Sequence, residues 1–273
     1  MTTLKASERL QQFIQDHPRL MLLTGAGIST DSGIPDYRDK SGQWKRKPPV
    51  QHQDFMSDLH TRQRFWARSL IGWPVMRNAQ PNAAHKAIAQ LEHNGTCQLL
   101  VTQNVDGLHN KAGSQNVVDL HGRSDQVICM GCQALYTRDQ ICDQLSTLNP
   151  EFAQLTASAA PDGDADLERD DFHQFQLTDC QQCGGILKPH VVFFGDTVPR
   201  DRVDTTFDAL EQSDGLLVIG SSLMVFSGYR FCRKAHELGK PIALLNKGVT
   251  RADELATLKL DAACSETLAG LDQ

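Results

Sequence analysis

The strongest constraint on this chain is a repeated rhythm: short apolar runs, each followed by a glycine or amide cluster and then by a helical stripe. Arg19 to Leu23 reads as a short buried strand and leads into Gly25-Ala26-Gly27. Gln98 to Thr102 leads into Gln103-Asn104-Val105-Asp106, and Val117 to Leu120 into His121-Gly122. Leu216 to Ile219 leads into Gly220-Ser221-Ser222, Pro241 to Leu245 into Asn246, and His190 to Phe194 is a further strand-like run. The helical stripes carry an apolar residue every three or four positions. They are Leu10, Phe13 and Ile14, stopped by His17-Pro18; Ala84, Ile88 and Leu91, after Pro81-Asn82 and before Gly95; Val203, Phe207 and Leu210; and Phe231, Ala235 and Leu238, closed by Gly239. A helix is expected to start near Ser29, and Thr250-x-x-Asp253 reads as a capping box for a last helix. Strands alternating with helices predict an α/β fold, a mainly parallel sheet with helices on both faces. Ligands in such sheets sit beyond the carboxyl ends of the strands, where Gly25, Gln103, Gly220 and Asn246 recur.

Two stretches break the rhythm. Residues 40 to 80, rich in Arg, Gln, Trp and Pro, read as a small helical insert, and residues 124 to 188 hold two C-x-x-C pairs. Ala159 to Asp171, acidic and containing Pro and Gly, reads as a surface loop. With 273 residues the chain is long enough for one large domain carrying a smaller one. Its net charge of −6 argues against gripping phosphate backbones, so no nucleic-acid partner is expected. No apolar run approaches the roughly 20 residues of a membrane span, so no membrane partner is expected either. The first helix begins within a few residues of Met1, so the expected location is the cytoplasm, with the mitochondrial matrix open only if a leader has been removed.

Cys129-Met130-Gly131-Cys132 and Cys180-Gln181-Gln182-Cys183 have the spacing of zinc knuckles. Two residues between thiolates let backbone amides turn over the sulfurs, and Gly131, Gly184 and Gly185 suit tight turns. Four thiolates leave no open coordination position, so the expected zinc, one per chain, is structural. Redox-active thiols are the competing reading. Cys97, Cys142, Cys232 and Cys264 read as buried, inert thiols.

Thr24-Gly25-Ala26-Gly27-Ile28-Ser29 could bring backbone close to a pyrophosphate. It lacks the full dinucleotide fingerprint and the acidic residue expected about 20 positions on, so a plain tight turn is an equal reading. Gly33-Ile34-Pro35-Asp36-Tyr37-Arg38 sets an acid, an aromatic and a cation after a rigid Pro. Gln103-Asn104-Val105-Asp106 spends a strand end on polar groups, which ordinary turn chemistry also does. His121 at another strand end is either a base or a structural histidine.

Taken together and in order, these stretches, with Val192-Phe193-Phe194-Gly195-Asp196, resemble the sirtuins, from about Leu20 to Cys264. Tyr37, Arg64-Phe65-Trp66-Ala67-Arg68 and Ala160-Pro161-Asp162-Gly163-Asp164 are similar to the class II branch, which includes mitochondrial enzymes linked to ADP-ribosyl transfer and lipoyl removal. The resemblance implies one catalytic domain over 1–273. Its Rossmann-like large part would comprise 1–39, 81–123 and 189–273. Its small part would be built from the helical insert 40–80 and the zinc insert 124–188.

It also implies an NAD-dependent protein lysine deacylase acting on acyl-lysine proteins, with NAD consumed and 2′-O-acyl-ADP-ribose released. By match, the turn of Gly25, Ala26 and Gly27 would cradle the diphosphate, within a cofactor-binding lining that includes Thr24, Ile34, Pro35, Asp36, Tyr37, Arg38, Gln103, Asn104, Val105 and Asp106. Asp106 and the backbone near Ile34 would hold the nicotinamide carboxamide, Asn104 would orient a water and ribose hydroxyls, and His121 would be the base. Gly220, Ser221, Ser222, Asn246, Lys247 and Gly248 would line the adenosine end, with Cys264 touching adenine through its backbone. Val192, Phe193 and Gly195 would hold the substrate peptide as an added strand. The acyl group stays open: Phe65-x-x-Arg68 stands where another branch reads acidic acyl groups, and Arg68 is equally a structural cation. The alternatives are an ADP-ribosyltransferase using the same site and an NAD-sensing zinc module without turnover.

Overall fold

The computed structural model describes residues 5–46 and 48–271; the expected outer limits at 1 and 273, and position 47 of the helical insert, lie outside the described residues. In chain order the helices are α1 (Ala6–Asp16), α2 (His52–Ser57), α3 (Leu59–Asn78), α4 (Ala83–His93), α5 (Leu108–Ala112), α6 (Arg138–Leu148), α7 (Pro150–Ala153), α8 (Arg200–Gln212), α9 (Phe226–Glu237) and α10 (Cys264–Ala269). The strands are β1 (Leu20–Thr24), β2 (Cys97–Thr102), β3 (Val117–Asp119), β4 (Gly122–Cys129), β5 (Leu135–Thr137), β6 (Ser158–Ala159), β7 (Ala165–Asp166), β8 (Leu187–Val191), β9 (Gly215–Ile219), β10 (Ile242–Leu245) and β11 (Leu258–Leu260).

The main sheet has the order β11-β10-β9-β1-β2-β3, and every adjacent pair is parallel. Its central strands are apolar on both faces because both faces are covered: Leu20, Met21, Leu22 and Leu23 are all 0% exposed. One face packs Leu22 and Leu100 against Leu10, Phe13 and Ile88 of α1 and α4. The other packs Met21, Leu23 and Val218 against Val203 of α8 and Phe231 of α9. Each such aliphatic stabilises the fold by about 1.5–3 kcal/mol over an exposed one, an upper figure because an unfolded chain already hides part of its surface. Strand order reverses at β1, with β2 and β3 to one side and β9 to β11 to the other, so the loops leaving β1 and β9 part around a crevice.

A third apolar cluster joins the remaining segments: Phe55, Trp66 and Trp73 of α2 and α3 with Val127, Ile141 and Phe172. Beside it, β4 lies between β5 and β8 in an antiparallel sheet. Because β4 starts at Gly122, this sheet follows His121 directly. None of the described helices is long and apolar enough to cross a membrane.

The structure differs from the sequence expectations in four places. No α-helix starts near Ser29; two 3-10 turns, Ala26–Ile28 and Thr30–Ser32, stand there, and Gly33 at φ +85° followed by Pro35 ends them. The strand expected over 190–194 lies at Leu187–Val191 and pairs with β4, outside the parallel sheet. Pro189 is tolerated because β8 is an edge strand, and the chain leaves the strand in a turn closed by the Asp196 N–H on Phe193 O, with Gly195 at φ +80°. Thr250 and Asp253 do exchange capping bonds, Thr250 Oγ1 donating to Asp253 Oδ1 at 2.6 Å, but they close only a 3-10 turn; the last helix waits until Cys264. The acidic 159–171 stretch is no simple surface loop: β6 and β7 form a small hairpin against α3, so close that a Cβ on Gly72 would lie 2.2 Å from Asp164 O.

Candidate active site

The two cysteine turns converge. All four Sγ atoms of Cys129, Cys132, Cys180 and Cys183 lie within 4.8 Å of one another. The pairs Cys129–Cys183 and Cys132–Cys180 are 3.4 and 3.6 Å apart, far beyond a disulfide and near the ~3.8 Å edge of a tetrahedral zinc–thiolate site. The Gly131 and Cys132 amides point at Cys129 Sγ, and a Cβ on Gly185 would stand 2.9 Å from that sulfur. Neighbouring thiols push Cys183 up to about 12, while the Tyr136 hydroxyl donating to Cys180 draws that thiol down to about 6. Four thiolates crowded together repel, and a divalent cation at their centre removes that repulsion, so the donor set fits one structural zinc. The other thiols are buried in apolar surroundings, which raises Cys97, Cys232 and Cys264 to about 12.

The crevice at the carboxyl edge of the main sheet encloses about 690 Å³. Its walls include Gly25, Ala26, Gly27, Asp36, Tyr37, Arg38, Gln103, Asn104, Val105, His121, Val192, Phe193, Gly195, Ser221, Ser222, Asn246 and Lys247. Residues spread over more than 200 positions therefore meet in one cavity. Outside that lining stand Thr24, Ile34, Pro35, Asp106, Gly220, Gly248 and Cys264. Thr24 is buried and bonded through Oγ1 to His109 Nε2 at 2.9 Å. Cys264 opens α10, with its sulfur 3.9 Å from Leu245 O. Gly220 packs against the first glycine turn: Gly27 donates to Gly220 O at 2.8 Å, and a Cβ on Gly220, at φ +63°, would lie 2.4 Å from Ile28 N. A Cβ on Gly25 would lie 2.8 Å from Ser221 Cβ. These glycines thus let two backbone turns touch, besides opening space for a ligand.

His121 is held at both nitrogens. Its Nδ1 lies 2.9 Å from Gln103 O and its Nε2 2.8 Å from Ser227 Oγ. A carbonyl only accepts, so Nδ1 carries the proton and Nε2 accepts from the serine hydroxyl. Burial lowers the ring to about 4, against the pull of the Gln103 carbonyl and with help from the Arg230 and Arg202 charges. At neutral pH His121 is an uncharged base with its lone pair on Nε2. Gln103 also donates through Nε2 to Ser221 Oγ at 2.8 Å, tying β2, β9 and the histidine together.

Behind the glycine turn runs a second network. Asn104 Nδ2 donates to Gly25 O and to Ser29 Oγ, and Ser29 Oγ donates to Asp106 Oδ2 at 2.7 Å. Leu108 N donates to the other Asp106 oxygen, so that carboxylate is fixed at both ends. The loop after Pro35 folds over the crevice: Asp36 pairs with Lys45, and Arg38 stacks 3.9 Å over Trp44, which in turn meets Phe194. The segment after β8 is clamped by α2, with His52 N donating to Phe194 O and Gln53 Nε2 to Gly195 O. Phe193 joins Phe55 and Phe65 in an aromatic trio, each pair of centroids 5.3 Å apart. Arg68 stands outside the crevice lining and is bidentate to Asp164 at 3.0 and 2.8 Å with Glu168 alongside, a structural cation joining α3 to the hairpin.

Sequence reasoning missed Ser227, Arg230, Phe226, Met224 and Trp44, all of which line the crevice. The first three sit at the start of α9, where the sequence carries only a helical stripe.

The profile of the Sir2 family matches residues 25–227. The NAD-dependent protein deacetylase 2 of Bradyrhizobium diazoefficiens is 57% identical over 266 residues, 97% of each chain. The bovine mitochondrial NAD-dependent protein lipoamidase sirtuin-4 is 48% identical over 97% of this chain and 85% of its own. A solved Sir2 structure with a p53 peptide and NAD+ superposes with a TM-score of 0.77 at 28% identity, covering 97% of this chain and 96% of that one.

Proposed function

This chain belongs to the Sir2 family, and from that premise we propose that its crevice binds NAD end to end beside an acyl-lysine, with His121 as the base. The protein is an NAD-dependent protein lysine deacylase, and the acyl group passes to ADP-ribose to give 2′-O-acyl-ADP-ribose. The observation that supports the residue assignment is the neutral imidazole of His121 in the crevice wall, its Nδ1–H committed to Gln103 O and its Nε2 lone pair accepting the exchangeable hydroxyl of Ser227.

NAD supplies a ribose carbon that loses nicotinamide and accepts the acyl oxygen. The chain's own groups do the rest. The Gly25–Gly27 turn brings backbone against the diphosphate. Asn104, steadied by Gly25 O and Ser29, orients ribose hydroxyls and water. Asp106 and the backbone near Ile34 hold the carboxamide, and the Ser29 and Leu108 bonds keep that carboxylate in place. A ribose hydroxyl takes the place of the Ser227 hydroxyl at His121 Nε2, which accepts its proton, as a base of low pKa does at neutral pH. Ser221, Ser222, Asn246 and Lys247 line the adenosine end, and Val192 to Gly195 receives the peptide. The loop over residues 36–46 closes the pocket against water. The same reading divides the chain into a parallel-sheet domain and a smaller zinc-bearing domain, in keeping with the separate apolar clusters. We place it in the cytoplasm, where thiolate ligands stay reduced.

The deciding experiment is nicotinamide release from NAD against a panel of acyl-lysine peptides, with mass spectrometry of the products. Release with acyl-ADP-ribose for some acyl group, lost in a His121→Ala variant that still binds NAD, is expected. Full turnover by His121→Ala sinks the assignment of the base. Release of nicotinamide with label left on protein and no acyl-ADP-ribose turns the reading toward ADP-ribosyl transfer.

A further inference from the structure

We propose, building on the deacylase reading, that the protein substrates carry an acidic side chain next to the acyl-lysine, recognised by Arg230 and Arg251 beside the ring of Phe226. Arg230 lines the crevice, yet its buried Nε has no hydrogen-bond partner, and the residue forms no ion pair among the described residues. Arg251 makes one long side-chain bond, Nη1 to Met224 O at 3.4 Å, and also meets no carboxylate among them. Both are already ordered by aromatic rings: Arg230 lies 5.5 Å and Arg251 5.9 Å from Phe226, and Arg251 stands 4.4 Å over Tyr229. Phe226 itself is 49% exposed, an apolar ring left uncovered at the mouth of the crevice.

The acids of this cavity do not answer these arginines. Asp36 is held by Lys45, Asp39 by Ser41 and Gln43, and Asp196 by the Thr197 amide with Lys188 alongside. In a chain of net charge −6, a rim of two uncompensated guanidinium groups is locally opposite in sign to the molecule as a whole. It attracts a carboxylate and repels a basic flank. A stacked guanidinium keeps its donor fork aimed outward, so pairing orders little that is not already ordered. The segment proposed to receive the peptide, Val192 to Gly195, lines the same cavity as Arg230 and Phe226, and Arg251, outside that lining, adjoins it through the Phe226 ring and Met224 O. The occupant that fits is an extended peptide with an aspartate or glutamate on the α9 side and an apolar atom over Phe226.

The test uses acyl-lysine peptides identical except for Glu, Gln or Lys at one flanking position at a time. kcat/KM is measured for wild type, Arg230→Gln, Arg251→Gln and the double variant. The Glu-to-Gln ratio within each protein is the readout, because it cancels any general change in activity. At one or two positions wild type should favour Glu by on the order of fivefold, the size of a partly screened ion pair, with Lys below Gln. The preference should shrink as salt rises and fall toward unity in the double variant. Equal kcat/KM for Glu, Gln and Lys at every position overturns the inference, and so does a preference that survives both substitutions. If the Gln peptides are not deacylated at all, the proposed function fails with it; robust turnover with flat ratios removes this inference alone.

Discussion

At the scale of single residues, His121 joins the legible to the hidden. Its place at a strand end before Gly122 marks it as a candidate; the partner of its Nε2, Ser227, lies 106 positions away and carries no sequence signal. A general base must be deprotonated to act, so kcat/KM falls as pH drops through its pKa in the free enzyme. With His121 lowered to about 4, that acid limb should lie well below the ordinary histidine range near 6.5. The Ser227 hydroxyl donates to the neutral ring and so disfavours protonation. Ser227→Ala should therefore move the limb to higher pH, and Ser227→Thr should largely restore it. A pH–rate profile in which the alanine variant's limb stays in place would show that the serine only fills space. Arg230 and Phe226 escaped notice for the same reason as Ser227: they are ordinary residues on an ordinary helix face, given meaning by what faces them.

At the scale of elements, the strands of the parallel sheet were readable because a strand buried on both faces has to be apolar throughout, as Leu20 to Leu23 are. Reading failed where tertiary context decides. A helix is expected near Ser29, but the chain makes two short 3-10 turns there and Gly33 in the left-handed region turns it away. His190 to Phe194 is apolar for two reasons, half of it strand and half of it wall and aromatic cluster, and hydrophobicity does not separate them. β11 is three residues long with Lys259 at its centre, below what a pattern can register. The cysteine knuckles needed no context, because their spacing is itself the geometry of the turn. Sequence leaves Arg68 open, and the structure pairs it with Asp164 and Glu168 outside the crevice lining. Arg68→Met should destabilise the protein by about 1–3 kcal/mol, as the loss of a charge-assisted, partly buried pairing does. It should leave the relative rates for neutral and acidic acyl groups unchanged. Thermal melting and the acyl-peptide panel read the two effects separately, and a selective loss of acidic acyl groups would return Arg68 to the site.

At the scale of the whole molecule, the zinc-bearing sheet and the catalytic crevice are continuous, since β4 begins where His121 ends and β8 delivers Val192 to the wall. Stripping the metal with a chelator should lower Tm by about 10 °C or more, open the 124–187 segment to proteases before the main sheet, and abolish turnover. An unchanged Tm and cleavage pattern after metal analysis confirms its loss would contradict a structural role. The meeting of the two glycine turns has a different kind of consequence. Gly25 and Gly27 abut Gly220 and Ser221, and on either side a single methyl would strike the backbone or side chain opposite. Neither turn can acquire a side chain unless the other gives way first. In a population of variants the two turns thus form a lock reached only by paired changes, and drift in this molecule is channelled away from them, toward positions whose side chains meet no such wall.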